Sequence, residues 1–102
     1  MTIKKYDKLV RDKIPTIIGH KGKKCKVYVA TGKDYYQKLI NKLQEEIQEF
    51  IDKPSVEELA DIQEVVLTLA EYNKWNLEET RISKNLNRGG FERRYILQEV
   101  RD

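Results

Sequence analysis

The spacing of apolar residues predicts two long amphipathic helices in the middle of the chain. The stripe of the first helix repeats every three or four residues: Tyr36, Leu39, Ile40, Leu43, Ile47, Phe50 and Ile51. Asp34 is its expected N-cap, because a carboxylate oxygen accepts well from the first free backbone amides. The stripe of the second helix is broader: Leu59, Ile62, Val65, Val66, Leu69 and Ala70, widened by Val56, Ala60, Leu67 and Tyr72. The break at Asp52–Ser55 is so short that the second helix is expected to fold back antiparallel on the first.

The apolar band of the second helix covers about two-thirds of its circumference. Such a helix has to bury more than one face, and a chain of 102 residues provides only one modest core. We therefore expect the protein to self-associate, as a homodimer or homotetramer whose helices form a bundle across a two-fold axis.

Shorter elements are predicted on both sides of this hairpin. Residues 3–18 are expected to begin irregularly and then form a short helix with Pro15 among its first residues, where proline is well tolerated. A third long helix is predicted over Glu78–Arg88, because Gly89-Gly90 ends its pattern. Asn76 is the expected C-cap of the helix before it.

Two stretches have the composition of β-strands. Lys26–Thr31 is rich in β-branched and aromatic residues and closes at Gly32, and Phe91–Val100 is the second candidate. Because a lone strand is unstable, the two are expected to pair antiparallel and tie the ends of the chain together. The expected fold class is therefore mainly all-α with a small two-stranded antiparallel β element, formed by residues 1–102 as a single domain.

The two long helices carry two acidic pairs close to the break between them. Glu46 and Glu49 precede the break, Glu58 and Asp61 follow it, and each pair has the i,i+3 spacing of neighbours on a helix. A rotation of about 100° per residue puts Glu46 at the edge of the apolar stripe and Glu49 about 60° further round on the same side, whereas Glu45 points away and is discounted as a ligand. Four carboxylates facing each other across a hairpin suit a hard divalent cation such as Mg²⁺. The alternative is an ordinary exposed surface rich in glutamate.

Glu58 has further interpretations. Ser55-Val56-Glu57-Glu58 matches a capping box, in which the Glu58 carboxylate bonds back to the Ser55 amide. Glu58 also falls within the apolar arc of its helix, where a carboxylate needs a partner. That partner is the cap, a cation, or an Arg or Lys side chain, and the sequence leaves these alternatives open.

Charge is distributed unevenly along the chain, although the formal net charge is only +3. Residues 1–33 contain ten Lys and Arg against two acids, residues 34–79 contain four against twelve, and residues 80–102 contain six against three. An acidic centre between basic flanks is suited to hold cations in the middle and a polyanion around them. Lys84 and Arg88, one turn apart in the third helix, either complement its C-terminal dipole or bind phosphate oxygens.

Other features narrow the possible functions. The chain has one cysteine and one histidine, which excludes a disulfide framework and argues against zinc catalysis. It contains neither a P-loop nor a dinucleotide-binding glycine motif. No apolar run reaches the roughly 20 residues of a membrane span, and the N-terminus lacks the apolar core of a signal peptide. A cytoplasmic protein without a membrane partner is expected.

Three segments together resemble one family of enzymes. They are the acidic motif E-E-x-x-E at 45–49 with E-x-x-D at 58–61, the stretch YDKLVRDKIP at 6–15, and RGGF at 88–91. In this order they resemble the compact members of the all-α nucleoside triphosphate pyrophosphohydrolases, the MazG-like and phosphoribosyl-ATP pyrophosphohydrolase-like superfamily. Only eight residues separate Glu49 from Glu58, a shorter linker than in many members of the superfamily but similar to that of the compact ones.

The resemblance implies an oligomeric helical enzyme that uses Mg²⁺, or Mn²⁺, to hydrolyse a nucleoside triphosphate between its α- and β-phosphates. The products are a nucleoside monophosphate and pyrophosphate. Carried over to this sequence, the metal ligands are Glu46, Glu49, Glu58 and Asp61, and Glu45 matches the first Glu of the motif.

For the mechanism we expect Glu46 or Glu49 to act as the general base. The residues expected to stabilise phosphate charge are Lys84, Arg88, Arg11 and Lys13. Two alternatives remain. The first is a phosphoribosyl-ATP pyrophosphohydrolase, and the second is a non-catalytic helical module that binds a polyanion or a protein partner through its basic flanks. For the enzyme, a nucleic-acid partner is not expected.

Overall fold

The protein is mainly helical. The computed structural model describes residues 2–102, and within them lie four α-helices: α1 (Ile14–His20), α2 (Gly32–Asp52), α3 (Val56–Tyr72) and α4 (Leu77–Arg88). The chain divides into two compact units, Met1–Leu69 and Ala70–Asp102. That the whole chain folds as one domain stays a prediction. Throughout residues 2–102, no helix has both the length and the apolar character that crossing a bilayer requires.

The short N-terminal helix forms as predicted. Pro15 occupies the first turn of α1, where its missing amide hydrogen has no intrahelical partner to lose. After α1 ends at His20, Gly22 adopts a φ of 75° and the Lys23 amide donates to the Ile18 carbonyl at 3.3 Å. Glycine takes this left-handed conformation without steric strain, so the chain turns sharply here.

The first long helix begins three residues earlier than expected. Thr31 is the N-cap residue of α2, and Asp34 lies inside the first turn. The N-cap prediction is therefore wrong. The Asp34 carboxylate instead accepts from the Tyr28 hydroxyl at 2.8 Å and from Lys38 Nζ at 3.2 Å. Gly32, with a φ of 56°, lets the chain enter the helix before Asp34 is reached.

The helices α2 and α3 form the predicted hairpin. Only residues 53–55 separate them, so α3 returns along α2. The Ser55 hydroxyl accepts from the Glu58 amide at 3.1 Å, which caps the start of α3. Leu39 on α2 and Val65 on α3 are the buried apolar side chains of this first unit within the described residues.

Replacing Ser55 with Ala is expected to lower the free energy of unfolding by about 1 kcal/mol, because the Glu58 amide loses its acceptor. Urea denaturation followed by circular dichroism measures the change. Ser83→Ala is the matched control, since Ser83 lies exposed inside α4, where alanine has the higher helix propensity. Equal stability of the two variants would contradict the capping role.

The second unit contains the end of α3 and all of α4. Asn76 is the N-cap of α4, since its Oδ1 accepts from the Glu79 amide at 3.1 Å. Its expected role as a C-cap of the preceding helix is therefore wrong. That helix ends four residues earlier, at Tyr72, and Lys74 follows with a φ of 58°. At its other end α4 stops at Arg88, as predicted, and Gly89 leaves the helix with a φ of 80°.

The predicted two-stranded β element is absent from residues 2–102. In the first stretch, the side chains of Val27, Tyr28 and Val29 are 61–88% exposed. In the second, Arg94 has a φ of 59° and its amide donates to the Phe91 carbonyl at 3.2 Å, so a turn interrupts the extended run. β-Propensity reflects packing against neighbouring strands. A β-like composition is therefore not sufficient to form a strand where no neighbouring strand is available.

Candidate functional site

Carboxylates from both helices of the hairpin meet on one side of it. Glu46 from α2 and Glu58 and Asp61 from α3 each offer an oxygen, and these oxygens lie within 4.8 Å of one another. Glu46 lies less than two turns before α2 ends, and Asp61 less than two turns after α3 begins. The antiparallel return therefore brings them to the same level. Three of the four predicted ligands are brought together here.

The fourth predicted ligand, Glu49, belongs to an adjoining group on α2. Oxygens of Glu45, Glu46 and Glu49 also lie within 4.8 Å of one another, so Glu46 is common to both groups. Glu49 is exposed, whereas Glu45 is half-buried. Helical rotation discounted Glu45 as a ligand, but its carboxylate still reaches this group, because a long side chain extends beyond the direction of its Cβ. Ion pairs with Lys8 and Lys42 hold it there, and these pairs are now the reason for leaving it out of the ligand set.

Two carboxylate oxygens at this site are buried without a hydrogen-bond partner among the described residues. They are Glu46 Oε2 and Glu58 Oε2. Glu46 is only 5% exposed, and its other oxygen contacts Lys42 Nζ at 3.1 Å. Burying an unpaired polar atom is unfavourable by about 1–3 kcal/mol. A ligand that bound these two oxygens would remove this unfavourable contribution.

The capping box of Glu58 is present in one direction. Its backbone amide donates to Ser55, which is the first half of the motif. The second half requires the Glu58 carboxylate to accept a bond in return, yet its Oε2 is buried and unpaired. Capping therefore explains the amide of Glu58 and leaves this carboxylate oxygen available.

Three basic side chains are paired with carboxylates at the site. Lys8 Nζ lies 2.7 Å from Glu45, and Lys42 Nζ lies 3.5 Å from the same residue. An Arg11 terminal nitrogen donates to Asp61 Oδ1 at 2.7 Å. Since Lys8 and Arg11 precede α1 and bind α2 and α3 respectively, the N-terminal segment bridges the hairpin. A pocket of about 240 Å³ lies beside them, lined by Lys8, Val10, Arg11, Ile14, Lys42, Glu46 and Asp61.

The surroundings of two adjacent glutamates shift their pKa values in opposite directions. Burial raises the pKa of Glu46 above its ordinary value, although the bond from Lys42 opposes the shift. Burial acts in the same sense on Glu45, but the ion pairs with Lys8 and Lys42 outweigh it and lower the pKa of that carboxyl. Glu46 is therefore the more basic of the two.

The predicted phosphate-binding residues are distributed over both units. Arg11 lines the pocket. Lys13 is the exposed N-cap residue of α1 and is not among the described lining residues. Lys84 and Arg88 are exposed on α4 in the second unit. Sequence analysis missed Lys42, although its spacing of four residues from Glu46 was a readable signal.

Comparison with protein-family models, with curated proteins and with solved structures finds no match. The chemistry of the site is therefore judged from its own residues. Every candidate ligand is a carboxylate oxygen, which is the donor type that Mg²⁺ prefers. The unpaired oxygens of Glu46 and Glu58 fit such an ion, because a hard cation would satisfy both.

Proposed function

We propose that this protein is a Mg²⁺-dependent nucleoside triphosphate pyrophosphohydrolase. It cleaves its substrate between the α- and β-phosphates and releases a nucleoside monophosphate and pyrophosphate. The observation that carries the proposal is the pair of buried, unpaired oxygens of Glu46 and Glu58 beside Asp61. The motif resemblance supplies the reaction, and Mn²⁺ is an alternative ion.

The residues that would hold the cation are Glu46, Glu49, Glu58 and Asp61. When bound, Mg²⁺ supplies positive charge that neutralises the triphosphate and makes a nearby water more acidic. The hairpin brings Glu46, Glu58 and Asp61 together, and Glu49 adjoins them through Glu46. Burial of Glu46 also keeps bulk water away from its unpaired oxygen, which strengthens electrostatic interactions there.

In the proposed reaction a water oxygen attacks the α-phosphorus. A new bond forms from this oxygen to the α-phosphorus, and the bond from the α-phosphorus to the α–β bridging oxygen breaks. Pyrophosphate leaves with the bonding electrons, and the proton of the water passes to Glu46 or Glu49 as general base. The raised pKa of Glu46 favours its role as the base.

Basic side chains are proposed to stabilise the charge that develops on the leaving pyrophosphate. Arg11 is the strongest candidate, because it lines the same pocket as Glu46 and Asp61. Lys13 is proposed as a further phosphate contact on the basis of charge and sequence position, and phosphate binding by Lys84 and Arg88 stays a prediction from the sequence.

Self-association is part of the proposed functional state. Several apolar side chains of the hairpin are 41–74% exposed: Ile47, Ile51, Val56, Leu59 and Leu67. Leaving such side chains in water is unfavourable by roughly 25 cal/mol for each Å² of apolar surface. A homodimer or homotetramer would cover them, in agreement with the broad apolar band of α3.

A screen for pyrophosphate release tests the proposed function. Purified protein is incubated with ribonucleoside and deoxyribonucleoside triphosphates and with phosphoribosyl-ATP, in Mg²⁺ and in excess EDTA. We expect release from at least one triphosphate in Mg²⁺ and none in EDTA. Release from phosphoribosyl-ATP alone would instead identify the related pyrophosphohydrolase. Absence of release from the whole panel would contradict both enzymatic functions.

A second candidate is a non-catalytic module that binds a polyanion or a protein partner. The observation that favours it is the ion pairing of Glu45, Glu46 and Asp61 with basic side chains, which satisfies part of the cluster without a cation. This function predicts polyanion binding that weakens with salt, needs no Mg²⁺ and survives neutralisation of the carboxylates.

A further inference from the structure

The basic residues at the candidate site differ in whether they keep a carboxylate partner when a cation binds the proposed ligands. Lys42 contacts both Glu46 and Glu45, and Glu45 is outside the set of four proposed ligands. Lys8 is paired with Glu45 as well. Arg11 has Asp61 as its ion-pair partner, and no other is present within residues 2–102. Capture of Asp61 by a cation therefore leaves Arg11 without an ion-pair partner, and only the more distant charges of Glu64 and Glu46 still act on it.

Arg11 is also the basic residue that is freest to change partner. It lies on the segment before α1, outside any helix, and its side chain is 55% exposed. The side chain of Lys42 is only 16% exposed and is anchored on α2. Arg11 lines the pocket, and more than half of its side chain is in contact with solvent. It can therefore change direction without repacking an apolar core.

The charge balance of the site favours an exchange. Its charged residues are Lys8, Arg11 and Lys42 against Glu45, Glu46, Glu49, Glu58 and Asp61, and Glu64 also acts on Arg11. Three cationic groups against six carboxylates leave three negative charges, so a polyphosphate is repelled while the site holds no cation. One divalent cation removes most of this negative charge, and a second makes the site positive.

We propose that Arg11 is an internal counter-ion that a divalent cation displaces from Asp61, and that the released guanidinium then binds the oxygens of a polyphosphate. A guanidinium is suited to this exchange, because its planar set of donors matches the oxygens of a carboxylate and also those of a phosphate. Cation binding and polyphosphate binding are then positively coupled, and each raises the affinity for the other by the same factor. The exchange depends on the cation site proposed above.

Arg11→Gln is expected to affect the two halves of this exchange in opposite directions. It removes the charge that competes with the cation for Asp61, and it also removes the side chain that binds polyphosphate. Mn²⁺ is titrated first without polyphosphate, and free Mn²⁺ is read by electron paramagnetic resonance. We expect the variant to bind Mn²⁺ about two- to fivefold more tightly, the effect of removing an exposed ion pair. Tripolyphosphate is then titrated calorimetrically at saturating Mn²⁺, where we expect about tenfold weaker binding.

Lys38→Gln is the matched control. It removes one positive charge from α2, and Lys38 is paired with Asp34 instead of a site carboxylate. We expect both affinities of this control to stay within about twofold of wild type. Arg11→Lys keeps the charge without the planar set of donors, so it is expected to lie between wild type and Arg11→Gln in both titrations.

The outcomes separate the exchange from the proposed function. If wild type binds Mn²⁺ and releases pyrophosphate but Arg11→Gln binds Mn²⁺ no more tightly, the exchange is wrong and the enzyme stands. Tripolyphosphate affinity within twofold of wild type in that variant also overturns the exchange. If wild type binds no Mn²⁺, the cation site and the exchange both fail. Circular dichroism of each variant checks that it is folded, and Arg11→Lys carries the test if Arg11→Gln is not.

Discussion

Asp61→Asn is expected to lower the rate of Mg²⁺-dependent pyrophosphate release by at least about 100-fold, the effect of losing one charged group at a catalytic centre. Asparagine keeps the size of the side chain and one oxygen, but it removes the negative charge that a cation needs. Asp61 is half-buried on α3 and offers its oxygen beside those of Glu46 and Glu58. Its loss therefore affects the cation directly.

Glu49→Gln is expected to give a loss of similar size, because Glu49 shares the second carboxylate group with Glu46. A coupled assay for inorganic pyrophosphate measures both variants across a range of Mg²⁺ concentrations. Glu57→Gln is the matched control, since Glu57 is exposed on α3 and lies outside both carboxylate groups. Full activity of both Asp61→Asn and Glu49→Gln would refute the site, provided that all variants elute like wild type on gel filtration.

Glu46→Gln is expected to abolish activity and at the same time to stabilise the protein. Glu46 is almost fully buried and one of its oxygens is unpaired. Replacing its charge with a neutral amide reduces the unfavourable burial, and we expect a gain of about 1 kcal/mol at pH 7. Lys42 still has an ion-pair partner in this variant, because its Nζ lies 3.5 Å from a carboxylate oxygen of Glu45. Chemical denaturation without added cation measures the gain.

The pH dependence of this gain has a definite sign. Burial raises the pKa of Glu46 in the folded protein, so the folded state holds the proton more tightly than the unfolded state does. The stabilising contribution of Glu46 is then fully present below its unfolded pKa and is lost as pH rises through the folded value. The advantage of Glu46→Gln over wild type should therefore grow with rising pH and shrink in acid.

The neighbouring variant Glu45→Gln provides a control of opposite sign. Ion pairs with Lys8 and Lys42 lower the pKa of Glu45, so its stabilising contribution is present above the unfolded pKa and is lost as pH falls through the folded value. This variant should be less stable than wild type at pH 7, and the difference should close in acid. A Glu46→Gln protein less stable than wild type at pH 7 would contradict the assignment of burial as the cause.

Local sequence patterns identified the helices because their cause is local. The three- and four-residue rhythm located α2 and α3, and Gly89 marked the end of α4 where the structure has it. Caps were predicted less well. Ser55 was identified correctly, whereas Asp34 and Asn76 were given roles that they do not have. A cap depends on where the chain turns into the helix, and side-chain type alone does not specify that.

The meeting of Glu46, Glu58 and Asp61 was predictable, because it follows from helical spacing and a three-residue connection. By itself, the sequence determined four helices, the hairpin and the carboxylates that the hairpin aligns. The unpaired oxygens and the distant pairing partners, Lys8 and Arg11, were decided by the tertiary structure alone. Lys8 and Arg11 bind residues 37 and 50 positions away. Contacts at such separations depend on the path of the whole chain, which no local pattern of residues encodes.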